Sequence, residues 1–375
     1  MEQAKVYYSD LRAPVGSNLL LKLEKLIRQA GIGDIDMNKK LVAIKLHFGE
    51  PGNLTYLRPN YAKVVADVVK SLGGVPFLTD CNTLYPGRRK NALEHIDAAY
   101  ENGFSPFSTG CNVIIGDGLR GTDDVEVPVE GAEYIQTAKI GRAVMDADVF
   151  ISLTHFKGHE LTGFGGALKN IGMGCGSRRG KMEQHNAGKP LVRRKLCVGC
   201  RMCARECGSD AISYGMDRKA HIDHDKCVGC GRCIGACNFD AIGTPDDAAV
   251  ADLNRKMAEY AKAVVTGRPQ FHVSLVIDIS PVCDCHDGND TPILPDVGMF
   301  ASFDPVALDQ ACADACLKQE PLPNSQLSDN MARPDFVDHH DHFVNTTPES
   351  EWESCLEHAE KIGVGTRAYE LIVVK

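Results

Sequence analysis

The stretch Cys197-Val-Gly-Cys-Arg-Met-Cys-Ala-Arg-Glu-Cys207 returns thirty residues later as Cys227-Val-Gly-Cys-Gly-Arg-Cys-Ile-Gly-Ala-Cys237. Both copies continue into Asp-Ala-Ile, so the repeat extends beyond the cysteines. Each copy spaces its four cysteines as C-x2-C-x2-C-x3-C. Eight thiols in two regular sets predict a compact module built around bound metal.

This spacing is that of bacterial ferredoxins with two [4Fe–4S] clusters, in which the last cysteine of each run binds the other cluster. We therefore predict two [4Fe–4S] clusters as cofactors. The first is expected on Cys197, Cys200, Cys203 and Cys237. The second is expected on Cys227, Cys230, Cys233 and Cys207. Gly199, Gly229 and Gly231 suit sharp turns that aim backbone N–H groups at sulfide.

Two other uses of these cysteines fit less well. Paired zinc sites more often show two C-x2-C pairs with a longer spacer, and disulfide frameworks belong to short secreted chains. One departure from the ferredoxin pattern is the residue after each fourth cysteine, where Gly208 and Asn238 replace the usual proline. This change bears on cluster solvation and potential rather than on cluster binding.

Length and composition limit the classes of protein. The 375 residues are 43% apolar, enough for two domains with ordinary cores. A net charge of −9 argues against a nucleic-acid partner. The first residues show no targeting pattern, and the chain contains no apolar run of membrane-spanning length. Together with sixteen cysteines, this predicts a cytoplasmic protein without a membrane partner.

Strand and helix signals alternate on both sides of the cysteine repeat. Strand signals lie at 41–48, 75–79, 113–115, 148–154, 273–279, 297–302 and 369–374. Helical spacing or capping signals lie at 61–72, 91–100, 244–264 and from 304 onward. We predict an α/β fold, a mostly parallel sheet with helices, interrupted by an inserted α+β 2[4Fe–4S] ferredoxin-like module. The expected parts are residues 1–190, 191–245 and 246–375, with a string of three domains as the alternative.

Polar residues collect where the predicted strands end, which is where open parallel sheets bind ligands. Each of these residues alone has an ordinary explanation as a buried or satisfied side chain. Their recurrence after four strands predicts one crevice. The residues concerned are His47, Asp80, Cys81, His155, Lys157, His159, Cys283, Asp284, Cys285 and His286.

Two segments carry most of the expected chemistry. The glycine-rich stretch 161–181 contains Lys169 and is predicted to be a loop that covers a cluster, packs tightly, or presents N–H groups to an anion. In Cys283-Asp-Cys285 the alternate thiols either bind a metal or carry electrons, or they are two reduced loop cysteines.

Three further patterns receive plainer interpretations. Asp338-His-His-Asp-His342 contains residue types that bind metals, but we interpret it as a solvated loop. Cys312 and Cys316 are interpreted as buried core residues of a helix. The basic stretch 178–195 and the acidic stretch 281–310 read as two solvated faces of opposite sign, with a docking site or anion pocket as the alternative.

Several segments together resemble a prokaryotic family of uncharacterised iron–sulfur-centre proteins, domain of unknown function 362. They are His155-Phe-Lys-Gly-His-Glu160, Thr162-Gly-Phe-Gly-Gly-Ala-Leu-Lys-Asn170, Cys283-Asp-Cys285, Ala301-Ser-Phe-Asp-Pro-Val-Ala-Leu-Asp309 and Glu360-Lys-Ile-Gly-Val-Gly-Thr-Arg-Ala-Tyr-Glu-Leu-Ile372. The resemblance spans nearly the whole chain and implies an anaerobic-type cytoplasmic redox protein. It implies no particular substrate.

The first functional hypothesis is an iron–sulfur oxidoreductase or reductive activator. Lys157, His159 and Lys169 would bind or protonate an anionic ligand in the crevice, and Cys283 and Cys285 would bind a further metal or relay electrons. The electron acceptor would be a small molecule or a redox partner protein. The alternatives are a non-enzymatic ferredoxin-type carrier or maturation factor with a docking domain, and clusters that serve only structure.

Overall fold

The computed structural model describes residues 3–84, 87–185, 189–227, 229, 231–243 and 250–375. The predicted position of a helix cap at Thr244 and the module boundary at residue 245 lie outside these ranges. None of the helices in the described part of the chain combines the length and the apolar composition that crossing a membrane requires.

The strands fall into one large sheet and four two-stranded sheets. In chain order they are β1 (Ala4–Ser9), β2 (Leu41–Lys45), β3 (Val75–Asp80), β4 (Asn112–Ile115), β5 (Asp124–Pro128), β6 (Thr137–Gly141), β7 (Val149–His155), β8 (Lys157–His159), β9 (Gly163–Gly165), β10 (Leu191–Val192), β11 (Ile212–Tyr214), β12 (Ala220–Ile222), β13 (Ile242–Gly243), β14 (Gln270–Val276), β15 (Gly298–Ser302) and β16 (Tyr369–Val373).

The helices are mostly short. They are α1 (Leu19–Gln29), α2 (Pro59–Ser71), α3 (Ala92–Glu101), α4 (Pro106–Thr109), α5 (Arg142–Asp146), α6 (Ala167–Cys175), α7 (Arg178–His185), α8 (Met202–Arg205), α9 (Arg232–Gly235), α10 (Val250–Val265), α11 (Pro305–Leu317), α12 (Gln326–Met331), α13 (His342–Thr346) and α14 (Glu353–Lys361), with a 3₁₀ turn at Ile32–Asp34.

The large sheet has eight strands in the order β16-β1-β15-β14-β7-β2-β3-β4. Five of them precede the cysteine repeat and three follow it, so both flanks share one sheet. The strands β14, β7, β2, β3 and β4 run parallel, whereas β15 is antiparallel to both of its neighbours. The predicted mixed α/β fold with a mostly parallel sheet is therefore confirmed.

Both faces of the sheet are covered by helices. In β7 the side chains of Val149 and Ile151 point into the core with α1 and α2, whereas Phe150 points into the core with α6, α10, α11 and α14. This alternation follows from the two-residue period of a strand. Each large apolar side chain buried in this way contributes about 1.5–3 kcal/mol relative to exposure.

The glycine-rich stretch is not a loop, so that prediction was wrong. After the short hairpin of β8 and β9, residues 167–175 form α6 and residues 178–185 form α7. The glycines serve helix packing: a Cβ added at Gly172 would overlap the carbonyl oxygen of Met257 in α10. At Gly174 it would lie 2.5 Å from the Lys45 ammonium. The high glycine content of this stretch therefore reflects close packing of α6 against α10 and Lys45, not the flexibility of a loop.

The described residues between 191 and 243 form a small unit of their own. Strand β10 pairs with β13, and β11 pairs with β12, both antiparallel. The short helices α8 and α9 each follow the second cysteine of a repeat copy. A small apolar cluster unites this unit, and Leu84 and Met182 from the preceding part belong to it.

Candidate functional site

A cavity opens at the edge of the sheet where β14, β7, β2 and β3 end. It contains about 840 Å³ of space between atoms, including the part open to solvent. The structure brings to its wall the five residues to which a role was assigned, namely Lys157, His159, Lys169, Cys283 and Cys285. Of the ten residues predicted at the strand ends, Asp284 and His286 do not line the cavity. Also on the wall are Lys45, His47, Asp80, Cys81, Arg89, His155, Asn170, Lys181, His185, Leu84, Leu253 and Met257.

The loop Cys283-Asp-Cys285 is held in place by the buried carboxylate of Asp284. One of its oxygens lies 2.8 Å from Nδ1 of His155 and 3.3 Å from Nζ of Lys157. The other oxygen accepts a hydrogen bond from the Thr55 hydroxyl at 3.2 Å. Although burial alone would raise the pKa of Asp284, the neighbouring His155 and Lys157 outweigh it and lower the pKa. An ionised aspartate therefore fixes both cysteines.

Arg89 anchors the same loop from the other side. Its guanidinium donates to Oε2 of Glu50 at 2.7 Å and to the carbonyl oxygen of Cys285 at 3.1 Å. A third nitrogen lies 2.9 Å from Nε2 of His47. The side chains of Arg89 and Glu50 are almost fully buried, so this ion pair is shielded from water. Such a bidentate or multidentate arginine restricts the loop to one geometry.

The two thiols of this loop differ in acidity. A hydrogen bond from Cys285 lowers the pKa of Cys283 well below its usual range, aided by Lys169 and against the effect of burial. The same hydrogen bond raises the pKa of Cys285. The Lys169 ammonium lies 3.4 Å from Sγ of Cys283. Burial alone would lower the pKa of Lys169, but the two cysteines and Glu160 raise it. The hydrogen bond between the two thiols therefore makes Cys283 the more acidic of the pair.

Glu160 and His286 form a second polar group beside the thiols. Nε2 of His286 lies 2.8 Å from Oε1 of Glu160, and the backbone N–H of Cys283 donates to Oε2 at 3.3 Å. The hydrogen bond with Glu160 raises the pKa of His286. Burial would raise the pKa of Glu160, but His159 and His286 lower it to about 2.

The opposite wall of the cavity is also cationic. Lys45 lies 3.1 Å from the carboxylate of Asp80 and donates to Asn170 at 2.8 Å. Lys181 donates to the backbone carbonyls of Gly174 and Gly176 at 3.2 and 2.6 Å. With Lys157 and Lys169, four lysines surround the space.

Two smaller cavities lie within the cysteine unit, each with about 310 Å³ of space between atoms. Cys197, Cys200, Cys203 and Cys237 line the first. Cys207, Cys227 and Cys233 line the second, and Cys230 lies outside the described residues. Each cavity thus combines cysteines of both repeat copies.

The backbone around the two cavities repeats with the sequence. Gly199 and Gly229 have φ of 72° and 69°, and Arg201 and Gly231 both have φ of 67°. The N–H groups of Ala211 and Ala241 donate to the sulfurs of Cys207 and Cys237 at 3.3 and 3.2 Å. A third N–H, that of Ala220, points at Cys197 at 3.4 Å. These N–H groups stabilise negative charge on sulfur.

The cysteine unit touches the crevice through two side chains. Leu84 lines the crevice and also belongs to the apolar cluster that contains Cys203, Cys233 and Cys237. Met182 belongs to the same cluster and sits in α7 between Lys181 and His185, which both line the crevice. Polar contacts reinforce the junction: Lys90 lies 2.6 Å from Asp240, and Arg178 donates to the carbonyl of Lys90.

Several residues that line the site were not predicted from the sequence. Lys45, Arg89 and Lys181 contribute charge to the cavity from a strand, a loop and a helix. Lys45 could have been predicted as a site residue, because an ionisable residue inside an apolar strand is unusual. Glu160 stood inside a segment used for the family resemblance, yet it was not assigned a role. No sequence pattern pointed to Arg89.

The remaining minor predictions had mixed outcomes. Cys312 and Cys316 are fully buried core residues, as predicted. The basic stretch is not a purely solvated face, because Arg178 and Lys181 are buried. Residues 338–340 are exposed, whereas Asp341 caps α13 and accepts a hydrogen bond from the Trp352 indole at 2.7 Å. That segment is thus part loop and part helix start.

Comparisons with known proteins found solved structures of low identity and one family. No curated protein matches it. Lactate racemase apoprotein from Thermoanaerobacterium thermosaccharolyticum is 11% identical with a TM-score of 0.37, covering 74% of this chain and 51% of that one. A Thermotoga maritima protein solved by structural genomics is 13% identical with a TM-score of 0.37, covering 79% and 57%. This chain thus spans little more than half the length of either structure.

The family comparison covers most of the sequence. The family described as Domain of unknown function (DUF362) matches residues 42–314. This range holds the strands β2 to β15, the cysteine repeat and every residue described above on the wall of the crevice. The chain belongs to the DUF362 family.

Proposed function

We propose that this protein is an iron–sulfur oxidoreductase or reductive activator, in which two [4Fe–4S] clusters on the cysteine repeat supply single electrons to an anionic ligand in the crevice. The observation that carries the proposal is the pair of cysteine-lined cavities. One of them is lined by three cysteines of the first repeat copy together with Cys237 of the second. This is the crossed set that a two-cluster ferredoxin uses.

The surroundings of these cysteines fit bound clusters. A cluster carries net negative charge on sulfur, which backbone N–H groups and left-handed turns stabilise. The donors to Cys197, Cys207 and Cys237 lie at 3.2–3.4 Å. The side chain of Tyr214 lies 3.3 Å from Cys203. A disulfide arrangement would not require these donors.

The crevice residues supply binding and protons. His159 accepts hydrogen bonds at Nδ1 from the N–H groups of Leu161 and Thr162, both at 3.1 Å. Its proton therefore resides on Nε2, which faces Cys283 and the cavity. Lys157 and Lys169 would hold the negative charge of a ligand, and the Nε2–H of His159 would donate a hydrogen bond to it. The Lys157 ammonium would give up a proton as the ligand gains electrons.

The junction between the two parts supports electron transfer into the crevice. Leu84 and Met182 contact both the cysteine unit and the residues that line the crevice. Packed side chains of this kind keep water out and hold the distance short. The thiols of Cys283 and Cys285 stand on the crevice wall, where they either bind a metal or pass electrons to the ligand. Sixteen reduced cysteines suit a cytoplasmic protein.

The test begins with anaerobic purification. Iron and acid-labile sulfide should each amount to about eight per chain, since two cubane clusters contain that many. Mass analysis of small molecules released on denaturation should detect an anion from the unaltered protein. Lys157→Met and His159→Gln should lower its yield at least about tenfold with unchanged iron, since each removes a charge-assisted contact.

A matched control uses a buried cysteine outside both sites. Cys312→Ser should leave iron, sulfide and the released anion unchanged, whereas Cys283→Ser with Cys285→Ser should abolish reduction of the anion with clusters intact. A protein that binds zinc in the repeat and shows no visible charge-transfer absorption would refute the proposal.

A non-enzymatic carrier or maturation factor is the second candidate, and one observation favours it. A cavity with about 600 Å³ of space between atoms opens beside α9, and it is lined by the basic residues Lys90, Arg120, Arg178 and Arg232. An acidic redox protein could dock there within reach of the second cluster site. Charge reversal at Arg232 should then block reduction of the partner, while loss of Lys157 should have no effect.

A further inference from the structure

Three metal-ligand side chains of different types converge beside the thiol pair. One donor atom from each of Glu160, Cys285 and His286 lies within 4.8 Å of the other two. They come from the hairpin turn after β8 and from the loop after β14, so tertiary structure brings them together over more than a hundred residues of sequence. Cys285 is buried, and the other two are half-buried.

Hydrogen bonds orient the three side chains, and the one between Oε1 of Glu160 and His286 would be replaced by bonds to the metal. Arg89 holds the backbone carbonyl of Cys285 at 3.1 Å. The N–H of Cys283 fixes Oε2 of Glu160 at 3.3 Å and leaves Oε1 toward His286. Below them, Asp284 is locked by His155 and Lys157. Preorganised ligands with a supporting outer layer are what a metal site needs.

The charges around Glu160, Cys285 and His286 are compatible with a bound cation. Lys169 is the nearest ammonium, and it contacts the sulfur of Cys283 at 3.4 Å rather than that of Cys285. Cys283 thus compensates the lysine, while Glu160, together with Cys285 once the metal has displaced its proton, would compensate a divalent ion. His159 lies 3.9 Å from Oε1 of Glu160, beside the group.

We propose that Glu160, Cys285 and His286 bind one divalent metal ion of the borderline class, such as Zn²⁺ or Fe²⁺, separate from the iron of the clusters. One thiolate, one imidazole and one carboxylate form a ligand set that this class of ion accepts. Binding forms a metal–sulfur bond and a metal–nitrogen bond, breaks the S–H bond of Cys285 and the N–H bond that His286 directs at Glu160, and releases the displaced protons to solvent. This inference deepens the proposed function, because it gives the crevice ligand an ion to contact.

Three protein ligands leave a coordination position for something else. Of the three, Cys285 lies on the wall of the crevice, so the ion would face the space between Lys157, His159 and Lys169. Catalytic sites with three protein ligands keep their fourth position for water or substrate. The anion proposed above would occupy that position, with its remaining charge toward the lysines.

Zinc is the probe for this site, because cluster iron does not contribute at its absorption edge. The cluster-loaded protein, incubated with Zn²⁺ and desalted anaerobically, should retain about one zinc per chain. Its X-ray absorption should show one sulfur at about 2.3 Å and nitrogen or oxygen at about 2.0–2.2 Å. Glu160→Gln, Cys285→Ser and His286→Gln should each weaken zinc binding at least about tenfold.

Controls separate this site from the cluster sites. Iron and sulfide should be unchanged in the three variants, which also shows that they fold. His340→Gln, which alters an exposed histidine elsewhere, should retain zinc as the unaltered protein does. Full zinc retention in all three variants would overturn the inference, as would zinc that disappears only when Cys203 or Cys233 is replaced. Loss of two hydrogens between Cys283 and Cys285 on mild oxidation, with no zinc bound, would instead identify a dithiol relay and also overturn it.

Failure of the inference and failure of the proposed function can be told apart. A chain with about eight iron atoms and a released anion, but no zinc on the three residues, loses only the metal site. A chain with neither iron nor sulfide loses the proposed function, whatever its zinc content.

Discussion

The carboxylate of Asp309 caps α6, although the two lie far apart in the sequence: its Oδ1 accepts a hydrogen bond from the N–H of Ala167 at 2.6 Å. Its other oxygen accepts from the N–H of Leu168 at 2.9 Å. Because α6 carries Lys169 and Asn170 into the crevice, a residue of α11 determines where these side chains stand. Burial raises the pKa of Asp309 to about 7, even though both hydrogen bonds oppose the shift.

We expect this carboxyl to make stability depend on pH around neutrality. The folded state holds the proton up to about pH 7, whereas the unfolded chain releases it near 3.8. The folded state binds more protons between these values, so its stability should fall as the pH rises from about 4 to about 7. In Asp309→Asn that part of the dependence should vanish. Thermal unfolding of both proteins at pH 6, 7 and 8 under anaerobic conditions measures it.

The change to asparagine retains one of the two acceptors for α6 and removes the titration; the loss of the other acceptor does not depend on pH. The difference in melting temperature between the two proteins should therefore shift in favour of the variant as the pH rises. An infrared band of a protonated carboxylic acid should also be present at pH 6 and absent from the variant. A difference that stays constant from pH 6 to 8 would contradict the expectation.

The buried ion pair of Lys45 and Asp80 should be costly to break. Both side chains are at most 4% exposed, and their charged atoms lie 3.1 Å apart. Replacing Asp80 with Asn leaves a buried ammonium without its counter-charge, which costs roughly 3–5 kcal/mol. Urea unfolding followed by circular dichroism should show this loss. Adding Lys45→Met should recover part of it, because the uncompensated charge then disappears.

A surface pair of the same residue types is the control. Lys63 and Asp67 lie 2.8 Å apart on α2, with both side chains about half exposed. Asp67→Asn should therefore cost no more than about 0.5 kcal/mol. Equal losses at Asp80 and Asp67 would mean that burial does not determine the strength of these pairs.

Much of the fold follows from local pattern. The strand signal at 148–154 became β7 within one residue at each end, and the signal at 41–48 became β2, which ends three residues earlier at Lys45. Asp304 caps α11 with Pro305 at its first position, as expected. The alternation of side chains in a strand and the capping of a helix both depend on residues close together in the sequence, so a short segment is enough to predict them. The pairing of strand β1 with β16 and β15 could not be predicted from any one of these segments alone.

The wrong predictions concern positions whose structure depends on residues far away in the sequence. The stretch with Gly172 and Gly174 looked like a loop because glycine disfavours helix, yet α10 and Lys45 leave room only for glycine at these helical positions. The convergence of the strand ends was predictable from parallel topology. The charges and hydrogen bonds at that edge also depend on residues such as Arg89 and Glu160. These residues make side-chain contacts between loops, and such contacts leave no periodic pattern in the sequence.

The crossed arrangement of the cysteines predicts a specific result for a double variant. Cys203 and Cys237 line the same cavity although they belong to different repeat copies. Cys203→Ser and Cys237→Ser should each destabilise the same cluster, so combining them should lower iron no further than one cluster, to about half. Iron and sulfide analysis after anaerobic reconstitution gives the answer.

The matched comparison replaces one cysteine from each cavity. Cys203→Ser combined with Cys233→Ser should remove iron from both cavities and leave little bound. If the double variant at Cys203 and Cys237 instead loses nearly all of its iron, each repeat copy binds its own cluster and the crossed assignment is wrong.

The cysteine unit should also be removable as an insertion. Leu191 pairs with Gly243 across β10 and β13, so the chain enters and leaves the unit side by side. Replacing residues 191–245 with about six Gly and Ser residues should bridge that gap. Residues 1–190 and 246–375 should then unfold in one cooperative transition, because their strands share the eight-stranded sheet. Its midpoint should be lower than that of the full chain, since Leu84 and Met182 lose their apolar cover. Two independent transitions, or flanks that melt separately when expressed apart, would show that they are separate domains.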